Sequence, residues 1–290
     1  MHDDLSGQIL GKYHLTEKIG AGAMGAVYRA ETPEGQAFAI KLLHSQFSRD
    51  ADFRARFERE VRLMASLNHP HIMPVYDYGA EQHILYFVMP LVAGQTLSRL
   101  MRRRSFSPAF AWELLGPIAE ALHFGHQAGV LHRDVKPGNV LLERQGGGVM
   151  VYLMDFGLAK RPGDDKTLTE TGVSIGTPEY MSPEAALGQA LDPRTDVYSF
   201  AVMLYELLLG VLPFDKGDAH LTALAQLNEP PPPMTQVNPH FPASLNAVVL
   251  RSLAKQPNYR HPDMRALAAD FEQSLAGLLP EEQTADYWVI

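Results

Sequence analysis

The chain has 290 residues, long enough for one large domain or two lobes, and its 46% hydrophobic and 20% charged residues support a sizeable core rather than disorder. A formal net charge of −8 argues against general nucleic-acid binding, and the lack of cysteine excludes disulfides, thiolate metal sites and Cys nucleophiles, which is compatible with the cytosol. The acidic start Met1-His2-Asp3-Asp4 is unlike a signal peptide, and no apolar run approaches the ~20 residues needed to span a bilayer, so any anchor would lie outside this chain.

Strands are predicted at Tyr13–Ile19, Ala26–Glu31 and Ala37–Leu43, the last two joined by a turn at Thr32-Pro33-Glu34-Gly35. Between the first two lies Ile19-Gly20-Ala21-Gly22-Ala23-Met24-Gly25-Ala26-Val27, which reads G-x-G-x-x-G-x-V. A dinucleotide-binding turn shares the glycines but opens a helix, whereas Val27-Tyr28-Arg29-Ala30 continues as a strand. Glycines in such a hairpin let backbone N–H groups close over phosphates; alone, an ordinary turn would explain them. Lys41 ends an apolar run, the usual place for a solvated strand end. Phe53, Phe57, Val61 and Met64 recur at helical spacing, with Glu60 beside the stripe and Arg56 one turn before it.

Asn68-His69-Pro70-His71 reads as a turn rather than a metal site, because no third ligand clusters nearby. Strands follow at Met73–Glu81 and Ile84–Met89. After Pro90-Leu91-Val92-Ala93-Gly94 the chain becomes helical. Helices are predicted at Thr96–Arg104, from Ser107-Pro108 to about Gln127, at Leu245–Ala254 and at Met264–Leu279. Val197–Leu209, apolar on nearly every face, reads as a buried central helix. Val140–Glu143 and Val151–Met154 form a hairpin around Gly146-Gly147-Gly148. Pro230–Pro233 reads as a stiff surface connection, and the tail Pro280–Ile290 as loosely attached, although Tyr287-Trp288-Val289-Ile290 is apolar enough to dock.

The chemistry concentrates in His132-Arg133-Asp134-Val135-Lys136-Pro137-Gly138-Asn139 and Asp155-Phe156-Gly157. Asp134 can accept a hydroxyl proton, Lys136 can neutralise a phosphoryl group, and Asn139 and Asp155 offer hard oxygen ligands of the kind Mg²⁺ prefers. With these motifs the chain resembles the eukaryotic-type (Hanks-type) serine/threonine protein kinases, over roughly residues 13–275. The resemblance implies an α+β, bilobal protein kinase fold with a small β-rich N-lobe and a larger helical C-lobe: a kinase domain at 13–279, with lobes 13–92 and 93–279, and tails at 1–12 and 280–290. It also implies ATP with Mg²⁺ or Mn²⁺ in the crevice between the lobes. Lys41 would hold the α- and β-phosphates and pair with Glu60, although a surface Arg56–Glu60 pair is the alternative for that carboxylate. Met89, Pro90 and Val92 match the linker that holds adenine, with Pro90 where Glu is common; proline keeps the carbonyl required there. Val27, Ala39 and Leu141 match the residues that sandwich the ring, a role that overlaps with core packing.

Lys136, together with Thr177 of Gly176-Thr177-Pro178-Glu179-Tyr180, carries the serine/threonine specificity of the family and implies protein substrates. Ser182-Pro183-Glu184 replaces the usual Ala-Pro-Glu; Glu184 is expected to pair with Arg260, and Asp196 to brace the loop at His132–Asp134. Thr167, Thr169, Thr171 and Ser174 crowd the intervening segment, and Arg133 is a cation able to hold a phosphothreonine. Their spacing resembles bacterial receptor-type kinases, implying autophosphorylation at Thr169 and Thr171, a transient homodimer, and a cytoplasmic place or the cytoplasmic part of a membrane receptor. A non-catalytic pseudokinase finds no support, since Lys41, Asp134 and Asp155 are all present. A small-molecule phosphotransferase is disfavoured by the Ser-Pro-Glu segment and its arginine.

Overall fold

The computed structural model describes residues 4–22, 25–44, 51–81, 83–102, 105–156 and 178–285. The chain divides after Gly94 into two compact units.

The first unit is built on an antiparallel sheet of β1 (Ile9–Leu10), β2 (Tyr13–Gly22), β3 (Gly25–Glu31), β4 (Ala37–Leu43), β5 (Asp77–Glu81) and β6 (Ile84–Pro90), in the order β1-β2-β3-β4-β6-β5. Alternation along β3, β4 and β6 sends Tyr28, Ile40, Leu42 and Val88 into one buried cluster with Leu15. In α1 (Ala51–Ser66) the stripe predicted from spacing is buried at Phe57, Val61 and Met64. The helix gives way to the expected turn: Leu67 N–H donates to the Met64 carbonyl, Ile72 N–H to the His69 carbonyl at 3.1 Å, and His71 N–H to His69 Nδ1. The strand expected from Met73 begins only at Asp77. Pro74 has no N–H to give to a ladder and holds its φ fixed, which shortens the strand.

In the second unit, α2 (Leu97–Leu100) is shorter than the helix expected to Arg104. Arg102-Arg103-Arg104 supplies no apolar position to extend a buried stripe, and Arg103 and Arg104 lie outside the described residues. A sheet of β7 (Gly94–Thr96), β8 (Val140–Gln145) and β9 (Gly148–Leu153) contains the predicted hairpin, turning through Gly146 and Gly147 at positive φ. The long helix α3 (Pro108–Gln127) starts as its sequence dictates: Ser107 Oγ accepts the Phe110 N–H, and Pro108 occupies the first helical position, where no N–H is needed.

The short helix α4 (Pro183–Ala186) precedes α5 (Pro193–Leu209), which is capped by Asp192 and ends at Gly210 in the left-handed conformation. Nearly every residue of α5 is buried, and α3 packs against it. Next come α6 (Ala219–Asn228), α7 (Met234–Val237), α8 (Ala243–Ser252) and α9 (Met264–Ala276). The proline run joins α6 to α7, with Tyr205 Oη donating to the Pro232 carbonyl at 3.2 Å. Sequence periodicity does not reveal α6, because it buries Thr222, Ala223, Ala225 and Gln226 while Leu221 and Leu224 face water. The tail is more structured than expected: α10 (Pro280–Thr284) lies against α3, and residues 286–290 lie outside the described set. Among the described residues no helix is long and apolar enough to cross a membrane.

Candidate functional site

In the first unit, the glycine-rich segment is the tip of the β2–β3 hairpin. Gly22 pairs with Gly25, Ala21 with Ala26, and Gly20 with Val27; Ile19 is exposed just before the tip, while Ala23 and Met24 lie outside the described residues. Gly25 has φ 158°, and a Cβ there would sit 1.8 Å from the Leu42 carbonyl oxygen, so β4 passes too close for any side chain. Register fixes the rest. Val27 lies opposite Lys41 and Ala39 opposite Met89, so Val27, Ala39, Lys41 and Met89 share the sheet face away from the buried cluster. Pro90 closes β6 opposite Phe38, and the Val92 carbonyl accepts the Gly94 N–H at 3.1 Å. Lys41 and Glu60 are both half-buried.

In the second unit, the His132–Asn139 loop is held from below by Asp196 at the start of α5. This carboxylate is 0% exposed and accepts the His132 N–H at 2.8 Å, the Arg133 N–H at 2.8 Å and His126 Nε2–H at 2.7 Å. Burial pushes the Asp196 carboxyl up, but the hydrogen bond and charge of His126, with His132 behind them, outweigh it and hold the carboxyl below its ordinary range. His126, at the last turn of α3, has no motif to announce it. His132 bonds through Nε2 to the Met154 carbonyl at 2.8 Å and accepts the Asp134 N–H at Nδ1.

On this support Asp134 Oδ2 meets Lys136 Nζ at 2.8 Å and Asn139 Nδ2 at 2.9 Å, and the same amide nitrogen donates to the Asp134 carbonyl. Asn139 precedes β8 and Asp155 follows β9; because Val140 pairs with Leu153, both stand at one end of the hairpin, joined by the Met154 N–H donating to the Asn139 carbonyl at 2.8 Å. Arg133 and Asp155 adopt positive φ of 65° and 60°, unusual for residues with side chains. Leu141, half-buried, lies opposite Tyr152. Phe156 packs its buried ring against His132 at 4.9 Å.

The expected Glu184–Arg260 pair is present and buried. Arg260 spends all five N–H groups: two on Glu184 at 2.7 Å each, and one each on the carbonyls of Arg194, Ala254 and Lys255. Thr195 Oγ1 donates to Glu184 as well. Tyr180 Oη donates to the Glu206 carboxylate, whose carboxyl is pushed up by burial despite that bond. Thr169, Thr171, Gly157 and Thr177 lie outside the described residues.

Comparison with known proteins agrees with this arrangement. The family described as the protein kinase domain matches residues 13–271. A probable serine/threonine-protein kinase of Streptomyces coelicolor is 40% identical over 92% of this chain and 40% of its own length. The serine/threonine-protein kinase PknJ of Mycobacterium tuberculosis is 38% identical over 99% of this chain and 49% of its own. The crystal structure of the Mycobacterium tuberculosis PknI kinase domain superposes with a TM-score of 0.75 at 30% identity, covering 93% of this chain and 98% of that one. The chain thus spans less than half the length of these two kinases. Matched over most of its residues by one family and built on the same fold, the chain belongs to the protein kinase domain family.

Proposed function

We propose that the chain is the kinase domain, residues 13–279 with lobes 13–92 and 93–279, of a serine/threonine protein kinase that transfers the γ-phosphoryl group of ATP to protein hydroxyls. The observation that carries this reading is the Asp134–Lys136–Asn139 cluster fixed on Asp196. Asp134 accepts the proton of the acceptor hydroxyl as its oxygen bonds to phosphorus and the bond to the leaving diphosphate breaks. Lys136 offsets negative charge on the transferred group. Lys41, paired with Glu60, holds the other phosphates, and Gly20, Gly22 and Gly25 let backbone N–H groups approach them. By the family's pattern Thr177 would act with Asp134 and Lys136, and Val27, Ala39, Met89, Pro90, Val92 and Leu141 would take the adenine.

The residues suit a magnesium ion. Asn139 Oδ1 and the Asp155 carboxylate are hard oxygen donors, and no group of three His, Asp or Glu side chains gathers among the described residues to supply a fuller cage. Two protein ligands with water and phosphate completing the shell is the habit of Mg²⁺. When bound, magnesium and ATP supply the phosphoryl group and a neutralised diphosphate leaving group. A cytoplasmic place, or the cytoplasmic part of a longer receptor, fits this reading, as does control through Thr169 and Thr171.

The test is Asp134→Asn with a generic basic protein as acceptor and sugar and aminoglycoside acceptors beside it. Transfer to protein should fall by about 10²–10⁴ while ATP binding is retained. Wild-type transfer by the variant overturns the role of Asp134; transfer only to small acceptors overturns the protein-kinase reading.

A further inference from the structure

Gln226 on α6 is 0% exposed, carries two donors and one acceptor, and uses them all away from its own helix. Its Nε2 donates to the Glu179 carbonyl at 2.5 Å and to the Pro178 carbonyl at 3.4 Å. Its Oε1 accepts Tyr198 Oη–H from α5 at 2.5 Å. Its backbone carbonyl accepts Lys255 Nζ at 2.7 Å, and that ammonium lies 4.0 Å from the centre of the Phe214 ring. Burial and the nearby Arg260 charge push Lys255 down to about 8, as befits an amine enclosed in this way. A buried amide with every group engaged resists displacement, because breaking any link leaves a polar atom without water.

What Gln226 holds is the single turn Pro178–Tyr180, which begins one residue after Thr177. Tyr180 from this turn and Pro137 from the Asp134–Asn139 loop line one cavity of about 470 Å³, together with Glu206 and Leu212. The turn is therefore one wall of a cavity that the Asp134–Asn139 loop borders through Pro137, a space open to an acceptor chain.

We infer that Gln226 is a positioning residue for the acceptor protein: its side-chain amide fixes the carbonyls of Pro178 and Glu179, so that the turn meets an incoming peptide in one preset shape. The inference rests on the kinase reading above. It separates acceptor binding from nucleotide chemistry, since Gln226 touches none of Asp134, Lys136, Asn139 or Asp155.

Gln226→Met keeps the volume and removes the bonds, and Tyr198→Phe removes only the hydroxyl that orients the amide. Both are compared with the wild type for peptide KM, ATP KM, the rate of ATP hydrolysis without acceptor, and amide hydrogen exchange at Met181, whose N–H closes the turn on the Pro178 carbonyl. Gln226→Met should raise the peptide KM roughly tenfold, the factor expected for about one lost hydrogen bond, with Tyr198→Phe shifting it less in the same direction. ATP KM and hydrolysis should stay within about twofold, and Met181 exchange should accelerate. An unchanged peptide KM in either folded variant, or equal losses for peptide and ATP, overturns the positioning role. If the wild type transfers phosphate to no protein while Met181 exchange still responds to Gln226→Met, the kinase reading has failed and the acceptor role falls with it.

Discussion

Glu184 joins α4 to the loop before α9 through one guanidinium. Burial alone would raise its carboxyl, but the hydrogen bonds and charge of Arg260, helped by the backbone and Thr195, bring it below the ordinary 4.5. A carboxyl depressed in the folded state contributes stability that is complete above its unfolded value, about 4.3, and is lost as pH falls through the folded value. Glu184→Gln should therefore cost roughly 3–5 kcal/mol near pH 7, because Arg260 stays buried without its counter-charge. The gap between wild type and variant in urea unfolding should narrow as pH falls below the unfolded value towards the depressed folded one. A gap that stays constant from neutral to acid pH would show that the carboxylate charge is not what the pair contributes. This pairing was legible from Ser182-Pro183-Glu184 and the arginine after Gln256-Pro257-Asn258-Tyr259. The other three bonds of Arg260 were not, because they go to backbone carbonyls, which carry no sequence signature.

At the scale of elements, α3 carries a glycine where its propensity alone would prefer alanine. Gly125 has no Cβ, and one added there would lie 2.4 Å from Phe156 Cε1. Replacing a helical glycine by alanine ordinarily gains up to about 1 kcal/mol, less in a last turn such as this one. Here the Phe156 ring, 1% exposed and set against His132, cannot retreat without moving the residue next to Asp155. Overpacking of about 1–3 kcal/mol should win, so Gly125→Ala should lower the urea midpoint and reduce phosphoryl transfer together. A more stable variant would show that Phe156 has room to move. Strand β4 and the Ser107-Pro108 start of α3 were readable because short-range rules set them: an apolar run directly after a turn in one case, a capping oxygen and a fixed φ in the other. The helix α6 was hidden because its packing inverts the usual pattern, with leucines outside and Thr222 and Gln226 inside. Gln226 was invisible for the same reason, since a lone glutamine in an unrecognised helix offers no spacing to read.

At the scale of the whole molecule, the motifs made the family and fold legible, because His132–Asn139 and Asp155–Gly157 each gather their distinctive residues within a few positions. Regulation is a property of the intact protein. Incubation with magnesium and ATP should place phosphate mainly on Thr169 and Thr171, each adding about −1.5 to −2 charge for Arg133 to bind. If copies phosphorylate one another through a transient homodimer, label per molecule should rise with protein concentration. Mass spectrometry beside a Thr169→Ala/Thr171→Ala double variant is the measurement. Phosphate found only outside residues 158–181, or full activity in the double variant, would remove this mode of control and leave the transferase assignment standing.

The central helix α5 also bears on how the second unit comes to be folded. It touches α3, α7, α8, α9 and the Pro178–Tyr180 turn, partners that arrive from both earlier and later in the chain. With its side chains hidden nearly all round, it gains little from forming alone in water, and its helix becomes favourable only once several of those partners have converged. The chain after α5 must therefore be largely made before α5 can be buried. During synthesis on the ribosome this apolar segment stands open until at least α8 has emerged, the interval in which a chaperone has most reason to hold it.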